Sequence, residues 1–326
     1  MSDLWRLLAL PPLDHGLLEA LFGDPRVELI TPADRTQEAV DALLPTADLV
    51  LGDWSPLLKV RDPGPRVAFI QQPSAGVDGI DLDACTARGV PVANCAGANA
   101  TSVAEWCLSA TLALLRRTVF ADAAVRANEW PQTSLGGREL SGQRVGVVGM
   151  GAIGRRVATM FTGLGCQVSY WSRNQHPDAP APYAELDDLL ATSDIVILVI
   201  ALGDLTRGLI DADRLARMKP GALLVNGARG EVVDEVALAA ALTSGHLAGA
   251  GLDAFVHEPL LPDSPLMTAP NALLSPHMAG STVEAAMRIV GTAKANLVRV
   301  LDGEPVENVV NGVAAAVTRR AGDSAT

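Results

Sequence analysis

The chain predicts an α/β fold of two domains, each a parallel sheet covered by helices. Three observations lead there. Short apolar runs alternate with amphipathic stretches along most of the chain, the rhythm of βα units. Hydrophobic residues make up 49% but aromatics only 4%. The cores must therefore be packed from Ala, Val, Leu and Ile, as buried parallel strands are. The length, 326 residues, suits two domains at ~100–200 residues each.

The first hundred residues read β, α, β, α, β, β. Strands are expected at 4–10, 27–30, 49–51 and 67–71, and helices at 14–22 and 35–44. A Gly-bearing turn, Ser74-Ala75-Gly76-Val77-Asp78, precedes a short strand at 90–94. Residues 98–118 form a long apolar helical stretch, a candidate connector between domains. Asn99, Thr101 or Ser102 could cap it, and Glu105 stands three residues after Ser102 as a capping box requires.

A second α/β series begins at Gln143. Strands are expected at 144–149, 168–171, 195–200, 223–226, 249–254 and 273–275, with helices at 153–164, 186–191, up to 218, 233–243 and 282–301. From Ala314 the Ala-, Thr- and Arg-rich tail is expected to fray. No further regulatory domain is expected after it.

Net charge is −12 and the isoelectric point is near 4.8. Such a surface repels nucleic acid and anionic membranes, so neither is expected as a partner. Cys85, Cys95, Cys107 and Cys166 form no CxxC pair and read as buried apolar residues in a reducing, cytoplasmic compartment, with no metal site. The apolar run at 195–202 is far short of the ~20 residues that span a bilayer.

Gly149-Met150-Gly151-Ala152-Ile153-Gly154 follows the apolar strand Val145-Gly146-Val147-Val148 and opens a helix. That context is what a dinucleotide-binding turn requires. The glycines let the backbone approach a pyrophosphate, and the helix N-terminus supplies N–H donors. An NAD-binding unit usually carries an acid ~20 residues on, for the ribose hydroxyls. Here the strand ends Tyr170-Trp171-Ser172-Arg173. A hydroxyl and a guanidinium suit a 2′-phosphate, so NADP is expected in preference to NAD.

Three later segments each carry one chemically useful residue. They are Val225-Asn226-Gly227-Ala228-Arg229-Gly230, Phe255-Val256-His257-Glu258-Pro259 and Ser275-Pro276-His277-Met278-Ala279-Gly280. Arg229 offers a cationic fork, Glu258 a carboxylate and His277 a titratable ring. Those parts can hold an acid and move one proton.

With these motifs in this order, the chain resembles the D-isomer-specific 2-hydroxyacid dehydrogenase family over roughly residues 65–312. Ser74 to Asp78, Arg88-Gly89-Val90-Pro91-Val92, Val103-Ala104-Glu105, Gly137-Arg138-Glu139-Leu140, Val232-Val233-Asp234-Glu235 and Gly251-Leu252-Asp253-Ala254-Phe255 belong to the same match. The resemblance implies two Rossmann-like domains with parallel sheets. A dinucleotide-binding domain, residues 98–285, is expected to be inserted into a discontinuous, flavodoxin-like substrate domain, residues 1–97 with 286–326.

The resemblance also implies roles. Arg229 would clamp the substrate carboxylate, His277 would give or take the proton at the carbonyl oxygen, and Glu258 would orient the ring and favour its charged form. Ala75, Gly76 and Val77 would bind the carboxylate as well. Cofactor contacts would come from Gly149, Gly151, Ala152, Ile153 and Gly154, then Ser172, Arg173, Ala201 and Ala228. Arg229, Asp253, His277 and Gly280 would complete them.

The expected activity is reduction of small 2-oxo acids such as glyoxylate, hydroxypyruvate or short aliphatic 2-oxo acids to D-2-hydroxy acids by a homodimer. The dimer would use residues 98–118 and the segment to Leu140. A dinucleotide-sensing, corepressor-like binding protein on the same fold is the alternative. Closure of an interdomain cleft would exclude water.

Three departures from the family pattern narrow the expectation. Trp106 stands where a His is common. Ala201-Leu202-Gly203 replaces Pro-Leu-Thr, which is expected to loosen that loop. Gly52-Asp53-Trp54-Ser55 has no Arg or Lys at its tip, which disfavours phosphorylated substrates.

Overall fold

The computed structural model describes residues 4–54, 57–134 and 136–320; Ser55 and the tail beyond Arg320 lie outside them. The chain divides into two compact units, residues 1–99 with 283–326, and residues 100–282.

The first unit is a five-stranded parallel sheet in the order β2-β1-β3-β4-β5. Its strands are β1 (Trp5–Ala9), β2 (Val27–Ile30), β3 (Leu49–Leu51), β4 (Phe69–Gln71) and β5 (Val92–Ala93). This is the flavodoxin-like order. Helix α1 (His15–Phe22) starts where Asp14 accepts the Leu17 N–H, and α2 (Gln37–Leu43) where Thr36 accepts the Ala39 N–H. Such caps satisfy N–H groups that a helix start leaves open. Helix α3 (Leu82–Ala87) precedes β5. One face of the sheet buries Leu8, Val50, Ile70 and Val92. The other packs Leu7, Leu49 and Phe69 with Ala293, Leu297 and Val300.

The second unit starts with α4 (Ala100–Arg116) and α5 (Thr118–Arg126). The sequence predicts one helix to Thr118. Instead Arg117 adopts φ +53°, which ends α4, and an unforeseen helix follows. The proposed capping box does not form: Ser102 lies within the first turn, and its hydroxyl bonds the Thr282 hydroxyl at 2.8 Å.

A six-stranded parallel sheet then forms from β6 (Arg144–Val148), β7 (Gln167–Trp171), β8 (Ile195–Leu198), β9 (Leu223–Asn226), β10 (Gly249–Leu252) and β11 (Ala272–Leu274). Their spatial order is β11-β10-β9-β8-β6-β7. Helices α6 (Ala152–Gly163), α7 (Leu186–Thr192), α8 (Ala212–Arg217) and α9 (Glu235–Thr243) connect them. Buried Val196, Leu198 and Leu224 face one core, and Val145, Val147 and Ile197 face the other. Strand order reverses beside β6, and in such sheets ligands bind outside the carboxyl ends of the strands at that point.

The chain returns to the first unit through α10 (Val283–Asp302). Beyond it the described part of the tail, to Arg320, is tied down, contrary to the fraying expected from Ala314. Val310 N–H donates to Val92 O at 2.8 Å and Val306 N–H to Ala315 O at 3.0 Å. Arg319 stacks over the Trp5 ring at 5.3 Å, and Arg320 donates to the carbonyls of Arg88 and Gly89.

Arg319 reaches a buried carboxylate. Asp48 is fully buried. Its oxygens accept from Arg66 at 2.9 Å, Arg319 at 3.1 Å and the Arg6 N–H at 3.0 Å. Removing a buried partner of this kind strands its donors. Asp48→Ala is therefore expected to lower stability by roughly 2–4 kcal/mol, discounted for the part-exposed arginines. Urea unfolding checks it, through a lower midpoint at unchanged slope.

Candidate active site

Arg229, Glu258 and His277 all lie in the second unit, just past the carboxyl ends of three neighbouring strands, β9, β10 and β11. Because the strands are parallel, their following loops emerge on one edge.

Asn226, at the end of β9, shapes the first loop. Its amide oxygen accepts the Ala228 N–H at 3.0 Å, and its amide nitrogen donates to Arg229 O at 2.9 Å. Arg229 in turn donates to Ala228 O at 2.9 Å. Trp106 and Cys107 of α4 lie against Gly227: a Cβ there would sit 3.8 Å from the Trp106 ring and 3.0 Å from the Cys107 sulfur. Trp106 thus packs beneath the arginine loop. Burial pushes the Cys107 thiol up to about 12, so it is an inert packing group.

Glu258 Oε2 and His277 Nδ1 are 2.8 Å apart. The other carboxylate oxygen accepts the Phe255 N–H at 3.0 Å. Burial pushes this carboxyl up, but the His277 hydrogen bond, the Phe255 N–H and the positive charge of His277 and Arg229 outweigh it. The net effect is a value below the ordinary 4.5. A depressed carboxyl stays ionised to lower pH, and its contribution to stability is complete above the ordinary value and lost as pH falls through the folded one. With Glu258 on Nδ1, Nε2 is the ring nitrogen left for another partner.

His277 holds a left-handed backbone, φ +49°, which costs a non-glycine residue ~1–2 kcal/mol. Asp253 maintains it. The Asp253 carbonyl accepts the His277 N–H at 2.8 Å. Its carboxylate accepts Ser275 Oγ at 2.6 Å, Met278 N–H at 2.9 Å and Ala279 N–H at 2.7 Å. The sequence places Asp253 among the cofactor contacts. In the structure both its oxygens are engaged by this loop, so its observed work is to position His277. Gly280 follows in the same turn, its carbonyl accepting the Thr282 N–H.

The glycine turn lies on the same sheet edge. Gly149 has φ +105°, and a Cβ there would sit 2.7 Å from Val199 O at the end of β8. A Cβ on Gly154 would sit 1.9 Å from Gly149 O, so both positions require glycine. Gly151 differs, with nothing within 4 Å of its Cβ position. It caps α6 without a side-chain hydrogen bond. That open position stands at the start of a helix whose first-turn N–H groups belong to Ala152, Ile153 and Gly154, the setting a pyrophosphate requires.

Two neighbours differ from expectation. The Ser172 hydroxyl donates to Asn174 O at 2.6 Å, which shapes the turn and removes that donor from a 2′-phosphate. Arg173 is exposed beside it. The loop from Ala201 is braced, not loosened: buried Thr206 donates to Ala201 O at 2.8 Å and Gly203 O at 3.1 Å. The sequence reading missed Thr206, which stands three residues beyond the departure it noted.

Ala75, Gly76 and Val77 belong to the first unit, after β4. Gln72, also missed, links them to the loop after β3, donating to Asp53 O at 2.7 Å and to Ser74 Oγ at 2.8 Å. Ser74 Oγ donates to Gly76 O at 2.7 Å, and Asn94 holds Ala75 O at 2.7 Å. The buried Asp53 carboxylate pairs with Arg35 at 2.7 Å, and Arg35 also donates to Leu10 O at 2.8 Å.

A parallel sheet that reverses its order beside a glycine turn at a helix start is the architecture of the dinucleotide-binding proteins. The family model described as the NAD binding domain of D-isomer specific 2-hydroxyacid dehydrogenases matches residues 108–279, and the chain belongs to that family. The D-3-phosphoglycerate dehydrogenase of Mycobacterium leprae is 39% identical over 319 residues, 95% of this chain. The chain spans only 59% of that relative's length. A glyoxylate reductase of Thermofilum pendens is 38% identical over 262 residues, covering 78% of this chain and 77% of its own. Among solved structures, the TT0316 protein of Thermus thermophilus superposes with a TM-score of 0.83 at 33% identity, over 94% of this chain and 99% of its own.

Gly230 fixes the spacing of the trio. A Cβ there would meet the Phe255 carbonyl carbon at 2.0 Å and the Val256 nitrogen at 2.2 Å. Gly230→Ala must push the Arg229 and Glu258 loops apart. The expected result is a loss of roughly 2–3 kcal/mol by thermal unfolding.

Proposed function

We propose that this protein is an NADPH-preferring reductase of small, unphosphorylated 2-oxo acids, glyoxylate, hydroxypyruvate or short aliphatic ones, producing D-2-hydroxy acids. The observation that carries the reading is the Glu258–His277 pair at 2.8 Å, with Arg229 on the neighbouring strand end and the glycine turn on the same sheet edge. NADPH, when bound, supplies a hydride. Residues 100–282 would bind it, with the glycine turn at its pyrophosphate and Arg173 at its 2′-phosphate.

Arg229 would hold the substrate carboxylate by two parallel hydrogen bonds against the overall negative field. His277 would deliver a proton from Nε2 to the carbonyl oxygen and recover it in the reverse direction. Glu258 would fix the ring through its hydrogen bond to Nδ1.

Asp53, and not a cation, follows β3, and Arg35 is occupied by it. That supports an unphosphorylated substrate. The four buried thiols support a cytoplasmic setting.

The test is cofactor oxidation with a panel of glyoxylate, hydroxypyruvate, aliphatic 2-oxo acids and phosphohydroxypyruvate. Efficiency with NADPH should exceed that with NADH by ~10–100-fold, the worth of a charge-assisted contact. His277→Ala should cut turnover by ~10²–10⁴-fold with cofactor affinity nearly intact. A preference for the phosphorylated acid, or for NADH, would overturn the corresponding part. Cofactor binding without turnover of any acid would favour a dinucleotide-sensing protein.

We also propose a homodimer. Helix α5 buries none of its residues, while Val119, Phe120, Val125 and Trp130 stand exposed on α5 and after it. An amphipathic helix that buries none of its residues calls for a partner surface. Sedimentation should give a dimer, and Phe120→Asp with Val125→Asp a monomer.

A further inference from the structure

We propose that Tyr170 is the positioning residue for cofactor choice, pinning the loop that follows β7 so that Arg173 is presented beside the glycine turn; this rests on the NADPH reading above. Tyr170 is 1% exposed, yet its hydroxyl reaches out of the sheet to one residue of that loop. It accepts the His176 N–H at 2.7 Å and donates to the His176 carbonyl at 3.2 Å. The same residue closes the loop at its far end. Its backbone N–H donates to Pro182 O at 2.9 Å, and its carbonyl accepts the Ala184 N–H at 2.8 Å. The Tyr183 ring stands edge-on against it at 5.6 Å. Residues 171–182 therefore leave Tyr170 and return to it.

Two further ties orient this lariat. At its start, the Trp171 carbonyl accepts the Gly149 N–H at 2.8 Å, which fixes the end of β7 to the glycine turn. Further along, Arg155, in the first turn of α6 or just past it, donates to the Asp178 carbonyl at 3.0 Å and carboxylate at 2.9 Å. Asp178 is the one acid between Arg173 and Pro182. Its charge is engaged by Arg155, which keeps it from neutralising Arg173. Arg173 thus stands on a backbone ordered before any ligand arrives, so little of its contact energy is lost to ordering the loop.

Tyr170→Phe keeps the buried ring and removes only the hydroxyl. Amide hydrogen exchange across residues 173–178 of the full chain, without cofactor, should quicken by roughly five- to thirtyfold, the worth of the two hydrogen bonds the hydroxyl makes to His176. The KM for NADPH should rise by a similar factor, while kcat and the KM for NADH stay within about twofold. Unchanged exchange, or an equal rise for both cofactors, would overturn the inference. A wild-type preference for NADH would overturn the NADPH reading alone, and the exchange measurement would then decide whether Tyr170 pins the loop. Should Tyr170→Phe fail to fold, Arg155→Gln cuts the exposed tie and gives the same two readouts.

Discussion

One buried carboxylate, Asp253, sets the geometry on which the candidate chemistry depends. It accepts three hydrogen bonds from the loop after β11, and its carbonyl takes a fourth. Together these hold His277 in a backbone conformation that the residue would not choose alone. Glu258 can meet the ring at 2.8 Å because the ring has been placed first. The left-handed turn is the visible cost of that placement.

The parallel sheet supplies the rest of the order. Its strands send every loop at one end to the same edge, so a turn after β6 and three polar residues after β9, β10 and β11 share that edge without any long excursion. Close approaches fix the spacing between loops. Gly230 lies against the Phe255–Val256 backbone, and Gly154 against Gly149. Charge is then arranged locally: Arg229 and His277 hold Glu258 ionised in a protein of strongly negative overall charge.

Much of this was legible in the sequence. The strands come from apolar runs whose period is unmistakable, and β2, β3 and β9 fall where the pattern puts them. The glycine turn and the trio are contiguous motifs, so their residues can be named before any fold is known. What escaped was long-range or conformational. The break at Arg117 depends on a positive φ in a residue that ordinarily continues a helix. The Ser172 hydroxyl looked available because its Asn174 carbonyl partner is backbone, invisible to residue-type reasoning. Tail docking at Arg319 depends on Asp48 and Trp5, some 270 and 310 residues earlier, and composition alone read it as frayed. Thr206 and Gln72 brace loops through backbone carbonyls, which carry no sequence signature.

The docking of α10 against the first sheet has a consequence for the order in which the molecule is made. Residues 100–282 are contiguous and hold both of their hydrophobic cores within themselves. The first unit does not: Leu7, Leu49 and Phe69 share a core with Ala293, Leu297 and Val300, and Asp48 awaits Arg319. During synthesis the N-terminal strands emerge first but stay incomplete until the ribosome has passed residue 319, while the inserted unit can close as soon as it is out. Domains generally fold as units from the N-terminus; here the earliest segment translated is the last to be finished, and its apolar face is the one a chaperone would meet.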